Sequence, residues 1–320
     1  MKTVTILFLG GAKRVGMARL FKDAGRVLGL EVHIVGYELD CACPLAAVAS
    51  DMVEGLRWSD PELFGHIDDA VERLGVDIML PFVDGAVGVA SEYVARYPHR
   101  GVFVPAPGRE LAEKMFDKVV AAEFFERLGL PIPATYRAGD PCLRLIAKPR
   151  FGSASKGIVE INSLQKLFEF QGREDRYLIQ ERIDNREEIT VDCYVETRTG
   201  RIVGASPRIR LETAGGEAVR TVTVDSPKAS ELARRTLEAT GLRGAVTVQI
   251  IHDLDDDRYM IMEINPRLGG GAVASVYAGF NLPEAILQDA AGEPDISAGK
   301  AEPGVLTTRF LDDVVFRPND

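Results

Sequence analysis

The chain has 320 residues, with 38 lysines and arginines against 48 acidic residues, and therefore a formal net charge of −10. This acidic balance argues against extensive nucleic-acid binding, which needs a basic face that neutralises phosphates. No apolar run approaches the roughly 20 residues that cross a bilayer, and the apolar start at Val4–Leu9 is too short for a signal peptide. We therefore expect a cytoplasmic protein that has neither nucleic acid nor membrane as a partner.

The first third of the chain alternates short apolar runs with amphipathic stretches, which predicts βαβ crossovers and a parallel sheet. The predicted strands are Thr3–Leu9, Glu31–Tyr37, Asp77–Pro81 and Val102–Val104, and the predicted helices lie near Met17–Leu28, Pro61–Leu74 and Ala86–Arg96. Ligands bind such sheets at the carboxyl ends of the strands. We therefore expect Lys13 and Arg14, after the first strand, and Asp84, after the third, to contact a substrate. A plain tight turn is the alternative interpretation.

The pattern changes after a proline-rich boundary at residues 105–108. A helix is predicted over Arg109–Leu128, closed by Gly129 and Pro131. Most of the later strands are joined by short turns rather than helices, which predicts an α+β, partly antiparallel region. These strands are Thr135–Ala138, Leu143–Lys148, Gly157–Ile161, Tyr177–Gln180, Glu188–Glu196, Arg201–Ser206, Ala245–His252 and Arg258–Ile264, with a further helix at Ser226–Thr240.

Lys148 ends a predicted strand and is followed by a basic loop of small residues, Gly152–Gly157. Small residues allow backbone N–H groups to approach phosphate oxygens, and lysines add positive charge. The segment therefore suggests a phosphate-binding loop, although a surface hairpin with solvated lysines would have the same composition.

Glu263 and Asn265 end another predicted strand and project from the same face, with Arg267 just beyond. Carboxylate and amide oxygens are the hard ligands that Mg²⁺ prefers. Gln249 lies on the preceding strand, which an acidic turn at Asp253–Asp257 folds back alongside, so it could reach the same ion. A strand end with a surface Glu–Arg pair is the alternative.

In this order along the chain, these residues together with Lys118 and the segment Gln180–Ile183 resemble the ATP-grasp superfamily. Within it, they are similar to the ATP-binding halves of the large subunit of carbamoyl-phosphate synthetase, and the similarity extends to about Leu287. The resemblance implies an α/β and α+β protein with three parts. These are a Rossmann-like pre-ATP-grasp domain with a parallel sheet (1–108), a linker helix with the small ATP-grasp subdomain (109–182), and the C-terminal ATP-grasp subdomain (183–320).

The resemblance also implies roles for individual residues, with ATP and Mg²⁺, or Mn²⁺ in its place, as cofactors. The implied nucleotide contacts are Lys118, Lys148, Gly152, Ser153, Ala154, Ser155, Lys156, Gly157, Gln180, Glu181, Arg182, Ile183 and Glu188. Gln249, Glu263 and Asn265 are similar to the magnesium ligands, and Arg267 and Lys148 to the catalytic cations. Two departures stand out, because the carbamoyl-phosphate synthetase pattern usually has arginine at the position of Lys118 and a more glycine-rich loop around Lys156.

Arg208, Arg210 and Glu212 alternate along one strand face ahead of a Gly-Gly turn. Two arginines and a glutamate there could hold an anionic substrate near an acyl phosphate, and a solvated, salt-linked strand face is the alternative.

Three functions are consistent with these features. The first is a ligase that activates a carboxylate as an acyl phosphate and transfers it to an amine, with small-molecule carboxylate and amine substrates and a homodimer left open. The second is a carbamoyl-phosphate-synthetase-like enzyme that activates bicarbonate or carbamate. The third is a nucleotide-binding regulatory protein without turnover.

Overall fold

The computed structural model describes residues 1–136, 144–152, 156–170, 172–173 and 175–317. The strands are β1 Lys2–Leu9, β2 Leu30–Glu38, β3 Asp51–Glu54, β4 Ile78–Pro81, β5 Leu145–Pro149, β6 Val159–Ile161, β7 Tyr177–Glu181, β8 Arg186–Val195, β9 Ile202–Ala214, β10 Glu217–Thr223, β11 Gly244–Asp253, β12 Arg258–Asn265 and β13 Leu306–Thr308. The helices are α1 Val15–Val27, α2 Leu63–Leu74, α3 Asp84–Arg96, α4 Arg109–Phe116, α5 Lys118–Arg127, α6 Leu164–Phe168, α7 Pro227–Thr240, α8 Ala272–Tyr277 and α9 Leu282–Ala290.

The N-terminal strands form a parallel sheet in the order β3-β2-β1-β4. The central strand β1 is buried on both faces from Ile6 to Leu9, as expected when helices cover both sides of a sheet. Helices α1 and α9 pack on one face, and α2 and α3 on the other. The predicted parallel α/β region is therefore confirmed.

The predicted strand Val102–Val104 is wrong as a strand, since it forms a single bridge between Phe103 and Ile78. Pro105 and Pro107 follow directly, and proline supplies no N–H donor that could extend a ladder. The segment therefore touches the sheet beside β4 and then leaves it.

The predicted helix Arg109–Leu128 is also wrong in one respect, because it is two helices that meet at Asp117. Asp117 has an extended backbone, with φ −90° and ψ 104°, and its carboxylate accepts the N–H groups of Val119 and Val120 at 3.1 and 3.2 Å. This is an N-cap, which begins a new helix rather than continuing the previous one. Lys118 therefore starts α5 instead of lying inside a long helix.

The remaining strands form two antiparallel sheets among the described residues, in the orders β6-β5-β7 and β12-β11-β8-β9-β10-β13. Strand β9 continues to Ala214, well beyond the predicted end at Ser206, because the chain reverses only at Gly215 and Gly216, which have φ of 58° and 79°. The antiparallel α+β region is confirmed, while the domain boundaries at 108 and 182 stay predictions. None of the helices that the structure describes is long and apolar enough to cross a membrane.

Candidate nucleotide and metal site

Lys118 is tied to the loop after β5 by both its backbone and its side chain. Its N–H donates to the carbonyl of Arg150 at 3.0 Å, and its Nζ donates to the carbonyl of Gly152 at 2.5 Å. Arg150 in turn donates from Nε to Asp117 Oδ2 at 2.7 Å, next to Lys118 in the chain. The helix break at Asp117 therefore positions Lys118 against the first residues of the predicted phosphate loop.

Lys148 is a buried cation at the end of β5, with 8% of its surface exposed. Its Nζ donates to Oε1 of Gln180 at 2.9 Å, and the amide of Gln180 donates to the carbonyl of Pro133 at 3.1 Å. Burial lowers the pKa of Lys148 to about 8, although the negative charges of Glu263 and Glu188 partly oppose that shift. An anionic ligand beside this buried lysine would raise its pKa again and so favour its charged form.

The predicted nucleotide contacts at Gln180–Ile183 and Glu188 lie where β7 of one antiparallel sheet leads into β8 of the other. The Glu181 carboxylate accepts the N–H of Ala134 at 2.9 Å, and its two oxygens also pair with Arg258. Glu188, at the start of β8, accepts from Arg210 Nη2 at 2.6 Å. Arg182 donates to side chains outside the predicted site, at Glu160 and Asn162. The side chains of Gln180, Glu181 and Arg182 therefore have partners within the protein, and their contact with a nucleotide stays a prediction.

The three predicted metal ligands are neighbours across β11 and β12. Gln249 pairs directly with Glu263, and Glu263 Oε1 accepts from Asn265 Nδ2 at 2.7 Å and from Gln249 Nε2 at 3.3 Å. The donor set of one carboxylate and two amides fits Mg²⁺, provided that the amide oxygens turn toward the ion. Among the described residues, no group of three or more His, Cys, Asp or Glu side chains could hold a metal, so other ligands of an ion here would be phosphate oxygens or water.

Arg267 joins this strand end to the N-terminal sheet. Its Nε donates to Asp84 Oδ1 at 2.6 Å, and its Nη2 donates to Asn265 Oδ1 at 3.3 Å. One cleft brings the predicted residues of several elements together. It is lined by Asp84, Val87, Ala112, Met115, Phe116, Lys118, Gly152, Glu263, Ile264, Asn265 and Pro266. A cation, two carboxylates and an amide therefore face the same space beside an apolar wall.

The predicted loop Gly152–Gly157 is described at its ends. Ser153, Ala154 and Ser155 lie outside the described residues. Gly152 and Gly157 have φ of 127° and 74°, which favour glycine, and Lys156 is exposed. The role of this loop stays a prediction.

The predicted substrate residues do not lie together in one place. Arg208 is buried against Asp192, Arg210 lies against the predicted nucleotide contact Glu188, and Glu212 is exposed. Lys13 is exposed in the turn between β1 and α1, whereas Arg14 donates to Glu217 at 3.1 Å. Arg208 and Arg210 thus face different ends of the site, and their contact with a substrate stays a prediction.

Sequence analysis missed two residues that organise the site. Asp192, in the apolar strand β8, is 1% exposed and accepts from Arg208, from Ser275 at 2.7 Å and from Thr247 at 3.4 Å. The signal was available, because an acidic residue within an apolar strand needs a buried partner. Arg309, near the C-terminus, donates to Glu217 at 2.7 Å. Nothing in the sequence around Arg309 indicates this contact.

The comparisons with known proteins agree on the fold. Residues 173–310 match a family model described as ATP-grasp in the biosynthetic pathway with Ter operon. A comparison with curated proteins found no significant match.

Several solved structures share the fold over nearly the whole chain. Biotin carboxylase from Campylobacter jejuni, in a beta-gamma-ATP complex, has a TM-score of 0.72 at 18% identity over 93% of this chain and 73% of the other. The biotin carboxylase domain of the Hydrogenobacter thermophilus 2-oxoglutarate carboxylase, with MgADP and bicarbonate, has a TM-score of 0.70 at 15% identity. The match covers 93% of this chain and 72% of the other. L-amino acid ligase from Bacillus licheniformis has a TM-score of 0.67 at 15% identity, and the match covers 91% of this chain and 74% of the other.

The fold and the family match define the class: the chain has the ATP-grasp fold, and its residues 173–310 match an ATP-grasp family model. Within that class, its C-terminal region resembles the ATP-grasp proteins of biosynthetic pathways with a Ter operon. The predicted superfamily is confirmed, and the nucleotides and magnesium in the neighbouring structures agree with the predicted cofactors. The finer likeness to carbamoyl-phosphate synthetase stays a prediction.

Proposed function

We propose that the chain is an ATP- and Mg²⁺-dependent ligase that activates a carboxylate as an acyl phosphate and passes the acyl group to an amine. The observation that carries this proposal is the shared cleft of Lys118, Glu263, Asn265 and Asp84, with Arg267 bonded to Asp84 at its edge. Phosphoryl transfer between two anions requires cations near the transferred group, and Lys118 in the cleft and Arg267 beside it would supply them.

Each residue has a role that follows from its position. Lys118 and the buried Lys148 would hold the phosphates, and Arg267 would face the transferred group next to Asn265. Glu263, Gln249 and Asn265 would hold Mg²⁺, which when bound neutralises charge on the phosphate oxygens. The apolar wall from Met115, Phe116 and Val87 would limit water near the reactive acyl phosphate.

Two other functions are alternatives to the ligase, and the experiment described below distinguishes them. Activation of bicarbonate or carbamate is supported by the biotin carboxylase neighbours, one of which contains bicarbonate, although at this identity the likeness concerns the fold. A regulatory protein would keep the nucleotide contacts without turnover. The cytoplasmic location and a homodimer are further predictions.

The deciding experiment measures ADP release from the purified chain with ATP and Mg²⁺ across pools of amino acids, small dicarboxylates and bicarbonate. A ligase should release ADP faster when a carboxylate and an amine are both present than when either is present alone. Stimulation by bicarbonate alone would favour the second function. Tight ATP binding without stimulated release by any pool would favour the third.

A further inference from the structure

The turn between β12 and α8, residues 266–271, lies on two buried side chains of the large antiparallel sheet. A Cβ added at Gly269 would lie 2.9 Å from Thr247 Oγ1 and 3.2 Å from Arg208 Nη2, and one added at Gly271 would lie 2.5 Å from Arg208 Nη1. Contacts shorter than 3.0 Å leave no room for a Cβ atom. The backbone of the turn is therefore in direct contact with Thr247 and Arg208.

The hydroxyl of Thr247 holds the start of this turn. Its Oγ1 donates to the carbonyl of Arg267 at 3.0 Å and lies 3.4 Å from Asp192 Oδ1. The hydroxyl has a single proton, and the contact with Arg267 is the shorter of the two, so Asp192 is the weaker acceptor. The side chain of Arg267 is held separately by Asp84. The backbone and the side chain of Arg267 therefore have different anchors.

Asp192 holds the side chains beneath the turn, and it is 1% exposed. Its two oxygens accept from Nε and Nη2 of Arg208 at 2.6 and 3.2 Å, and Oδ2 also accepts from Ser275 of α8 at 2.7 Å. Nη1 of Arg208 has no hydrogen-bond partner in the described part of the chain. Because a buried charge that loses its partner is strongly destabilising, Asp192 keeps Arg208 in place, and with it the turn and the start of α8.

The strand register places this cluster beside the predicted metal ligands. Asp192 pairs directly with Thr247, and Thr247 pairs directly with Asn265. Residues two apart on a strand share a face, so Thr247 lies on the same face as Gln249, and Asn265 on the same face as Glu263. A face that only had to pack against other elements would be stable with apolar side chains. The buried polar groups here therefore indicate a requirement for precise placement.

We propose that Asp192 and Thr247 are positioning residues for phosphoryl transfer, which hold the 266–271 turn so that Arg267 faces the transferred phosphate. Arg208 connects Asp192 to the turn, and this role does not require Arg208 to touch a substrate. The inference rests on the proposed ligase function and deepens it, because it assigns residues that act through Arg267.

The first test measures nucleotide binding and needs no substrate. The full chain with Mg²⁺ is titrated by calorimetry with ADP and with the β,γ-imido analogue of ATP, whose γ-phosphate is not transferred. Thr247→Val removes the hydroxyl and keeps the shape, whereas Thr247→Ser keeps the hydroxyl. We expect Thr247→Val to bind the analogue roughly fivefold more weakly, the size of one neutral hydrogen bond, and to bind ADP as the wild type does. Thr247→Ser should restore the affinity for the analogue.

A purely structural hydroxyl would behave differently. Thr236→Val in α7 is the matched control, because the buried Thr236 hydroxyl also donates to a backbone carbonyl, that of Leu232 at 2.7 Å, and does not line the cleft. This control should lower the melting temperature and leave the affinity for the analogue the same. Equal affinity for the analogue in the wild type and Thr247→Val, an equal loss in Thr247→Val and Thr247→Ser, or a parallel loss of ADP affinity would overturn the proposal.

Asp192→Asn tests the charge that holds Arg208. The amide keeps the shape of the side chain and leaves a buried guanidinium without its counter-charge, so we expect a loss of roughly tenfold or more in affinity for the analogue. A folded Asp192→Asn variant that binds the analogue as tightly as the wild type would overturn the role of Asp192. If circular dichroism shows that this variant does not fold, the result with Thr247→Val decides the proposal.

The failure of this positioning role can be told apart from the failure of the ligase function. If a carboxylate and an amine stimulate ADP release and kcat is unchanged in Thr247→Val, the ligase stands and the positioning role is overturned. A fall in kcat at unchanged KM would support both. If no pool stimulates ADP release but Thr247→Val still loses affinity for the analogue alone, the positioning of Arg267 is supported and the ligase function fails.

Discussion

Arg267 and Asp84 connect the two halves of the site, with Arg267 Nε donating to Asp84 Oδ1 at 2.6 Å. Arg267 follows β12 of the large antiparallel sheet, and Asp84 begins α3 beside the parallel sheet. Both side chains are largely buried, at 15% and 20% exposed. The region of the parallel sheet therefore holds the side chain of the arginine that we assign to the transferred phosphate.

Asp84→Asn should slow turnover while leaving nucleotide affinity unchanged. The amide keeps the shape of the side chain but removes the charge that holds Arg267, so we expect a loss of about 1.5–3 kcal/mol in transition-state stabilisation. Steady-state kinetics with calorimetric ADP binding measure both effects. Asp69→Asn, at an exposed position on α2, is the matched control, and equal turnover in the two variants would contradict the role of Asp84.

Because of Lys148, a rise in pH should increase the stability of the free protein and decrease its affinity for ADP. Burial lowers its pKa to about 8, against an ordinary value of 10.5, so the unfolded chain binds more protons between these two values. The contribution of Lys148 therefore makes the free protein more stable as pH rises through that window. Nucleotide phosphates favour the charged lysine, so ADP affinity should fall over the same range.

The proton linkage can be measured directly. Calorimetry near pH 8 in two buffers with different ionisation enthalpies should show proton uptake when ADP binds. Lys148→Met should abolish that uptake and weaken ADP binding. Binding without proton uptake in the wild type would show that Lys148 does not contact the phosphates.

Asp117→Ala should affect both stability and nucleotide binding. Loss of an N-cap costs about 0.5–2 kcal/mol, and loss of the contact with Arg150 would also free Lys118 from its position beside Gly152. Ser163→Ala is the control, because Ser163 caps α6 by accepting from Lys166 N at 3.1 Å, away from the cleft. Thermal melting with and without ADP should show a smaller ADP-induced shift in Asp117→Ala alone.

Local patterns predicted much of this fold because its strands are long apolar runs. Lys148, Glu263 and Asn265 were placed correctly on their strands, since alternation and strand ends are visible in the sequence. The break at Asp117 was missed because a capping aspartate within a helical pattern resembles any surface acid. The contact between Glu217 and Arg309 was not predictable, because it joins residues that only the tertiary fold brings together.

Glu263→Gln should raise the Mg²⁺ concentration needed for turnover by roughly tenfold or more, and combination with Asn265→Ala should abolish turnover, since ligand substitutions weaken a metal site strongly. Glu263 lies at a strand end, so the fold should remain intact. Turnover measured at varied Mg²⁺ concentration tests the metal requirement, and circular dichroism tests whether the fold is intact. The exposed Glu293→Gln serves as the control, and an unchanged Mg²⁺ requirement in the double variant would place the metal elsewhere.

In the proposed mechanism a substrate carboxylate attacks the γ-phosphate, so that one carboxylate oxygen is transferred to phosphorus and can be followed with an isotope label. The carboxylate that stimulates ADP release is labelled with ¹⁸O, and the inorganic phosphate produced in the presence of the amine is analysed by mass spectrometry. An acyl phosphate intermediate predicts one ¹⁸O atom in each phosphate formed, because the bond to phosphorus forms through a carboxylate oxygen and the amine later displaces that oxygen with the phosphate. Phosphate that carries no label, released at the same rate as ADP, would contradict the ligase mechanism.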